Sequence, residues 1–193
     1  MIDTFSANSL KILEKDKNEF INKYIHKLSL FKKDERAVLG QNFHALICMF
    51  LKGFDISKMV SNLDEKEQKI WENIENKLTP IKNNFIEFEF PFLIKCELKN
   101  KFYYLTGRFD AIYRENNEFI IWDWKTLNFP KNPTDDLQTI VYFYCLNQIY
   151  KTEKIKMRYF SLEKNEFIDI NFENIEKYKN KIDEIVSKIL FDF

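Results

Sequence analysis

The sequence predicts an α/β fold, one domain with a mixed central β-sheet flanked by helices. Three observations carry this. Residues 1–80 place apolar side chains at helical spacing, residues 85–125 switch to alternation with period two, and the remainder returns to a helix, a strand pair and a helix. At 193 residues, with 45% hydrophobic and 31% charged side chains, the composition is that of an ordinary soluble globular protein built on one core. Three Gly and four Pro favour long elements with few tight turns.

Taken in order, Ser6 or Ser9 caps a first helix that carries Leu10, Leu13, Phe20, Tyr24 and Leu28. A second helix carries Val38, Leu39, Phe43, Leu46, Ile47, Phe50 and Leu51, and Gly53 stops it. A polar third helix spans 64–78 and ends at Pro80. The helical part thus covers 1–80, and an α/β core covers 81–193.

In the first strand, 85–98, Phe88, Phe90 and Phe92 share one face and Glu87 and Glu89 the other. Asn100 and Lys101 turn into a strand over 102–113. Asn116 and Asn117 turn into a strand over 118–125 that is apolar enough to be central. A loop at Pro130 and Pro133 leads to a helix over 135–150. Strands over 154–162 and 165–172 and a helix over 173–191 complete the chain.

Composition also excludes. The formal net charge is zero, which argues against a non-specific DNA coat but not against a local basic groove. Cys48, Cys96 and Cys145 lie far apart with no CxxC spacing, so neither a zinc ribbon nor an iron–sulfur cluster is expected. No apolar run approaches the roughly 18 residues of a membrane span, and the N-terminus lacks a signal pattern. A cytoplasmic protein with no membrane partner is the expectation.

The residues that suggest chemistry cluster between Gly107 and Tyr142. Asp123 and Lys125, two apart on a strand, share a face with Phe119 and Ile121. An unpaired charge there would be costly. A metal on the carboxylate, with the ammonium turned to a phosphate or water, resolves the cost; so does a local ion pair. Asp110 ends the neighbouring strand, where it either enters a turn or meets Asp123 across the ladder around a hard cation such as Mg²⁺ or Mn²⁺. Gly107 admits close approach, or marks a bulge. Gln138 and Tyr142, four apart on a helix, either reach a substrate or serve as a capping-box residue and a core residue. His44 is a core histidine or a ligand from the helical side. Glu87 and Glu89 form a solvated face, orient Lys125 or reach a metal through water. Arg108, Lys131, Lys154, Lys156 and Arg158 are available for phosphate contacts, though acids interleave with them.

Asp110 followed by Asp123-Trp124-Lys125 resembles the core of the PD-(D/E)XK nuclease superfamily. Gly40-x-x-x-His44, Gly107-x-x-Asp110, Gln138-x-x-x-Tyr142 and Phe5-Ser6-x-x-Ser9-Leu10 are similar to its RecB-type branch. The resemblance spans residues 5 to about 145 and implies a restriction-endonuclease-like core. It implies a metal held by His44, Asp110, Asp123 and the main-chain carbonyl of Trp124. Lys125 would position or activate the attacking water, and Gln138 and Tyr142 would support the site and the substrate strand. The implied activity is Mg²⁺- or Mn²⁺-dependent cleavage of DNA, as an exonuclease in repair, recombination or defence. A non-catalytic DNA- or partner-binding module is the alternative. Relatives with an iron–sulfur cluster carry a cysteine where this chain has Lys15-Asp16-Lys17, so the cluster is not implied here. A helicase or other nucleic-acid-processing partner would be a separate chain.

Overall fold

The structure is a computed structural model that describes residues 2–28, 35–126 and 128–192, without the side chains of 35–39. Ser6 caps α1 (Ala7–Lys15) in a reciprocal pair with Ser9, directly after the short β1 (Thr4–Phe5). The predicted long first helix breaks at Asp16, whose carboxylate accepts from Asn18 and Glu19 N–H groups and so starts α2 (Lys17–Phe20). Such a side chain offers the backbone a local bond that competes with helix continuation. A single π turn follows, and Leu28, expected on the apolar stripe, is 70% exposed.

Helix α3 (Glu35–Leu51) ends as predicted at Gly53, whose φ of 82° suits a C-terminal cap. The side chains of Val38 and Leu39 lie outside the described residues. A short α4 (Ser57–Ser61), which the sequence pattern did not reveal, precedes α5 (Glu65–Leu78), capped by Asp64. Pro80 does not end the chain's helical course; a 3₁₀ segment, Thr79–Asn84, carries on to the sheet.

The sheet is built from β2 (Phe85–Leu98), β3 (Lys101–Glu115), β4 (Glu118–Lys125), β5 (Ile155–Ser161) and β6 (Glu166–Asn171), together with β1. Antiparallel pairs join β2 to β3, β3 to β4 and β5 to β6, whereas β4 with β5 and β1 with β3 run parallel. Helix α6 (Leu137–Tyr150) makes the crossover that parallel β4 and β5 require, and α7 (Ile175–Leu190) packs beside it. One face of the sheet buries Leu10, Phe109, Ile121, Val141 and Ile185; the other buries Phe43, Trp71, Trp122 and Phe160. This is a mixed sheet between two helical layers, the fold class expected. Among the described residues, no helix is long and apolar enough to cross a membrane.

Two irregularities interrupt the regular sheet. First, β3 has β2 along one edge; on its other edge β1 pairs at Tyr104 and Leu105, and β4 pairs only from Ala111 onward. Residues 106–110 on that edge therefore have no ladder partner among the described residues. Second, alternation fails at Glu89 and Asp110. Phe88 packs with one core and Phe90 and Phe92 with the other, and Phe109 is separated from Ala111 in the same way. The expectation that Phe88, Phe90 and Phe92 share a face is therefore wrong. Its cause is Glu89, whose φ of 50° rotates the strand in mid-course.

Gly107 marks no bulge in the ladder, and it lines a small cleft beside Gln138 and Tyr142. Phe92 pairs with it across the ladder, and a Cβ at Gly107 would sit 2.5 Å from the Phe92 ring. That ring packs on Phe109 and edge-on to Tyr142, contacts of roughly 0.5–1.5 kcal/mol each beyond burial. Gly107→Ala is expected to lower stability by about 1–3 kcal/mol. Combining it with Phe92→Leu should cost less than the sum of the single changes, measured by urea denaturation; strict additivity would contradict the contact.

Candidate active site

At its end β4 extends past its last pairing with β3, Trp122 with Ala111. Lys125 carbonyl bonds on the β5 side, to Leu162 N–H at 2.8 Å, so the N–H and C=O of Trp124 point the other way, into the gap beside β3. Both are met by side chains. Trp124 N–H donates to Asp110 Oδ2 at 2.9 Å, and His44 Nε2 lies 2.9 Å from the Trp124 carbonyl, to which it must donate. Gly40, one turn before His44, lets α3 come this close: a Cβ there would stand 2.6 Å from Thr126 Oγ1.

The tautomer has a consequence. With Nε2 protonated, a neutral His44 presents its Nδ1 lone pair to Asp110 Oδ2 at 3.5 Å. Burial holds His44 below the ordinary histidine range, despite the favourable Trp124 carbonyl. Burial, then the negative charge of Asp123, push Asp110 well above the ordinary carboxylate range. Glu89 is opposite Asp110 in the register, and ligand atoms of His44, Glu89 and Asp110 all lie within 4.8 Å of one another. Three groups that can each donate an electron pair thus converge, with Arg108 paired to Glu89 at their edge, and this donor set fits a divalent metal.

On the far face of β4, Asp123 is 2% exposed. Lys125 Nζ lies 2.6 Å from Asp123 Oδ1, and the Gln138 amide closes a ring by accepting from Lys125 Nζ at 2.8 Å and donating to Asp123 Oδ2. Gln138 does not close a capping box. Asp136 caps α6 by accepting from Gln138 N–H, which leaves the Gln138 side chain for the site. Tyr142 is a core residue with a polar end: its ring packs on Phe109, and its hydroxyl donates to the Arg108 carbonyl at 2.7 Å inside the gap.

The expected residues are therefore brought together in two groups. His44, Asp110 and the Trp124 main chain meet on the α3 side, and Asp123, Lys125 and Gln138 on the α6 side, one residue of β4 apart. Asp123 lies outside the set of mutually close ligand atoms, and Glu89 lies within it. Glu89 was visible in the sequence only as half of an acidic face. Nothing in a glutamate announces a left-handed backbone. Arg108 borders the site and pairs with Glu89 at 2.7 Å, whereas Lys156 and Arg158 are taken up by Glu118 and Asp169. A cleft of about 640 Å³ opens over His44, Glu89, Arg108 and Thr126, and a smaller one of about 240 Å³ over Thr106, Gln138 and Tyr142. Cys48 is half-buried, Cys96 and Cys145 are buried, and all three are free thiols.

The model of the PD-(D/E)XK nuclease superfamily matches residues 4–191. The chain belongs to this superfamily. The crystal structure of SSO0001 is similar, with a TM-score of 0.55 and 18% identity, covering 96% of this chain and 76% of that chain. At that identity the likeness carries the fold alone. No curated protein sequence matches. Membership makes phosphodiester hydrolysis, a nucleic-acid substrate and a divalent metal the properties typical of this chain's relatives.

For a PD-(D/E)XK site without metal, Asp110 sets a pH dependence. Its folded pKa is raised, so the native state keeps a proton that the unfolded chain, with a pKa of about 3.9, gives up. The associated stability is full below about pH 3.9 and is lost as pH rises through the folded value. Asp110→Asn keeps an acceptor for Trp124 N–H and should flatten this slope, melting above the wild type in metal-free neutral buffer. Mn²⁺ should raise the wild-type midpoint and leave that of the variant in place. Thermal melts across pH test this; a variant that melts lower at neutral pH would contradict it.

Proposed function

We propose that the protein is a Mg²⁺- or Mn²⁺-dependent deoxyribonuclease of the RecB type. In this reading it is an exonuclease that hydrolyses DNA phosphodiesters in repair, recombination or defence in the cytoplasm. The observation that carries the reading is the adjacency of two sets: the donor group of His44, Glu89 and Asp110, and the Asp123–Lys125–Gln138 ring beside it.

His44, Asp110, Asp123 and the Trp124 carbonyl would hold the metal, with Glu89 beside Asp110. The bound ion supplies Lewis-acid polarisation and lowers the pKa of water. The rest falls to the chain's own side chains. Lys125 carries the cation that orients the attacking water and offsets charge growing on the phosphate. Gln138 holds that ammonium and Asp123 in register through the two ends of one amide. Tyr142 braces the Arg108 carbonyl, and with it the β3 segment that carries Asp110. Lys125 pairs with Asp123, and the His44 N–H bonds the Trp124 carbonyl.

Neutral replacements that keep hydrogen-bonding capacity separate chemistry from folding. Asp123→Asn and Lys125→Gln should each lower Mg²⁺- or Mn²⁺-dependent cleavage about a hundred-fold or more with an unchanged far-UV circular dichroism spectrum, and Lys125→Gln, which leaves buried Asp123 unpaired, should melt lower. Progressive loss of labelled ends from linear DNA supports an exonuclease, and discrete fragments an endonuclease. DNA binding without cutting by the wild type under all metal conditions would mark a non-catalytic module and overturn the proposal.

A further inference from the structure

Beyond the kink at Glu89 and Asp110, one face of the β2–β3 hairpin stays open. Phe92, Ile94 and Cys96 of β2 and Tyr103, Leu105 and Phe109 of β3 pack toward α6. The residues between them point away. Leu93 is 64% and Phe102 50% exposed, Lys95 is exposed, and Tyr104 and Thr106 are half-exposed. Along β3 the row runs Phe102, Tyr104, Thr106, Arg108 and ends at the cleft that holds His44 and Glu89. Alternate strand residues repeat every 6.8 Å or so, which puts Phe102 roughly 20 Å from Arg108.

We infer that this open face is a platform for single-stranded DNA, along which a strand is led into the metal site. The inference rests on the nuclease reading above. Its chemistry is that of single-strand binding generally: rings on a sheet surface stack bases without regard to sequence, and cations follow the backbone. Phe102 and Tyr104 supply rings two residues apart. Lys95 sits 3.6 Å from the centre of the Phe102 ring, and Arg108 stands at the cleft. Lys99 and Lys101 turn to Phe191 on the α7 side and take no part in this face, and Glu97 is the one acid in the outward row of β2. The face is continuous with the catalytic cleft through Arg108, and this favours a substrate strand over a protein partner or a second copy. Duplex DNA cannot offer unstacked bases to such rings, so the platform selects one strand.

The test uses the whole protein in EDTA and fluorescence anisotropy of labelled oligothymidylate. The wild type should bind it more tightly than duplex of equal length. Phe102→Ala, Tyr104→Ala and Lys95→Glu should each weaken binding about ten-fold with unchanged melting midpoints. With Mn²⁺ present, hydrolysis of bis(p-nitrophenyl) phosphate, too small to span the face, should be the same in Phe102→Ala as in the wild type. Unaltered affinity in all three variants, equal affinity for duplex, or an oligomer that falls apart on Phe102→Ala while DNA binding persists would overturn the platform. Selective oligothymidylate binding lost in the variants, together with no hydrolysis by the wild type in any metal, would uphold the platform and sink the nuclease reading instead.

Discussion

The site depends on an interrupted ladder. A strand edge within a sheet must satisfy its N–H and C=O groups, and an orphaned buried pair costs as much as lost hydrogen bonds. Here β3 is claimed on one edge by β1 and then by β4, with nothing between them from Thr106 to Asp110 among the described residues. The backbone groups that a continuous ladder would have absorbed are met by side chains: Asp110 on Trp124 N–H, His44 on Trp124 C=O, and Tyr142 on Arg108 C=O. The three residues that repair the break are three of those the proposed chemistry would use. Structural completeness and site assembly are one requirement.

Around this break β4 acts as a partition. Successive strand side chains alternate between faces. Asp123 and Lys125 therefore turn toward α6, where Gln138 receives them, while the polar backbone of Trp124 turns sideways to meet His44 and Asp110 from α3 and β3. The α6 side is electrically settled, carboxylate against ammonium at 2.6 Å. The α3 side is more crowded: two carboxyl groups and an imidazole share a small space, with Arg108 paired to Glu89 at its edge. Burial first, and then the charge of Asp123 across β4, puts the raised proton affinity at Asp110.

Much of this was legible in the sequence because it follows from short-range periodicity. The Asp123–Lys125 spacing, the Gln138–Tyr142 helix face, the central apolar strand and the layered architecture all follow from periods of 2 and 3.6. What stayed hidden was non-local or carried by backbone conformation. β1 is two residues long, too short to leave a pattern, yet it opens the gap by pairing with β3. Asp16 reads as one more polar residue on a helix until its carboxylate is seen capping a new one. Gly107 reads as room for a close approach, and nothing in its neighbourhood in sequence announces that Phe92 takes the place of its Cβ.

Glu89 ties the remaining features together. A non-glycine residue with φ near 50° within a strand costs of order 1–3 kcal/mol and persists only where its surroundings hold it. Here the holding contacts are the Arg108 ion pair and the register of both neighbouring pairs, Phe88 with Ala111 and Phe90 with Phe109. The rotation it imposes has two effects at once. It turns the Glu89 carboxylate toward Asp110 and His44, which completes the donor set. It also shifts the buried rows of the hairpin from the α3 and α5 side to the α6 side, so that beyond the kink the opposite face is left to solvent. A regular β2 would have kept Phe88, Phe90 and Phe92 in one core, with Glu89 pointing away from His44 and Asp110 and no open sheet leading to them. The strained backbone at one position is thus the common origin of the ligand group and of the surface that adjoins it.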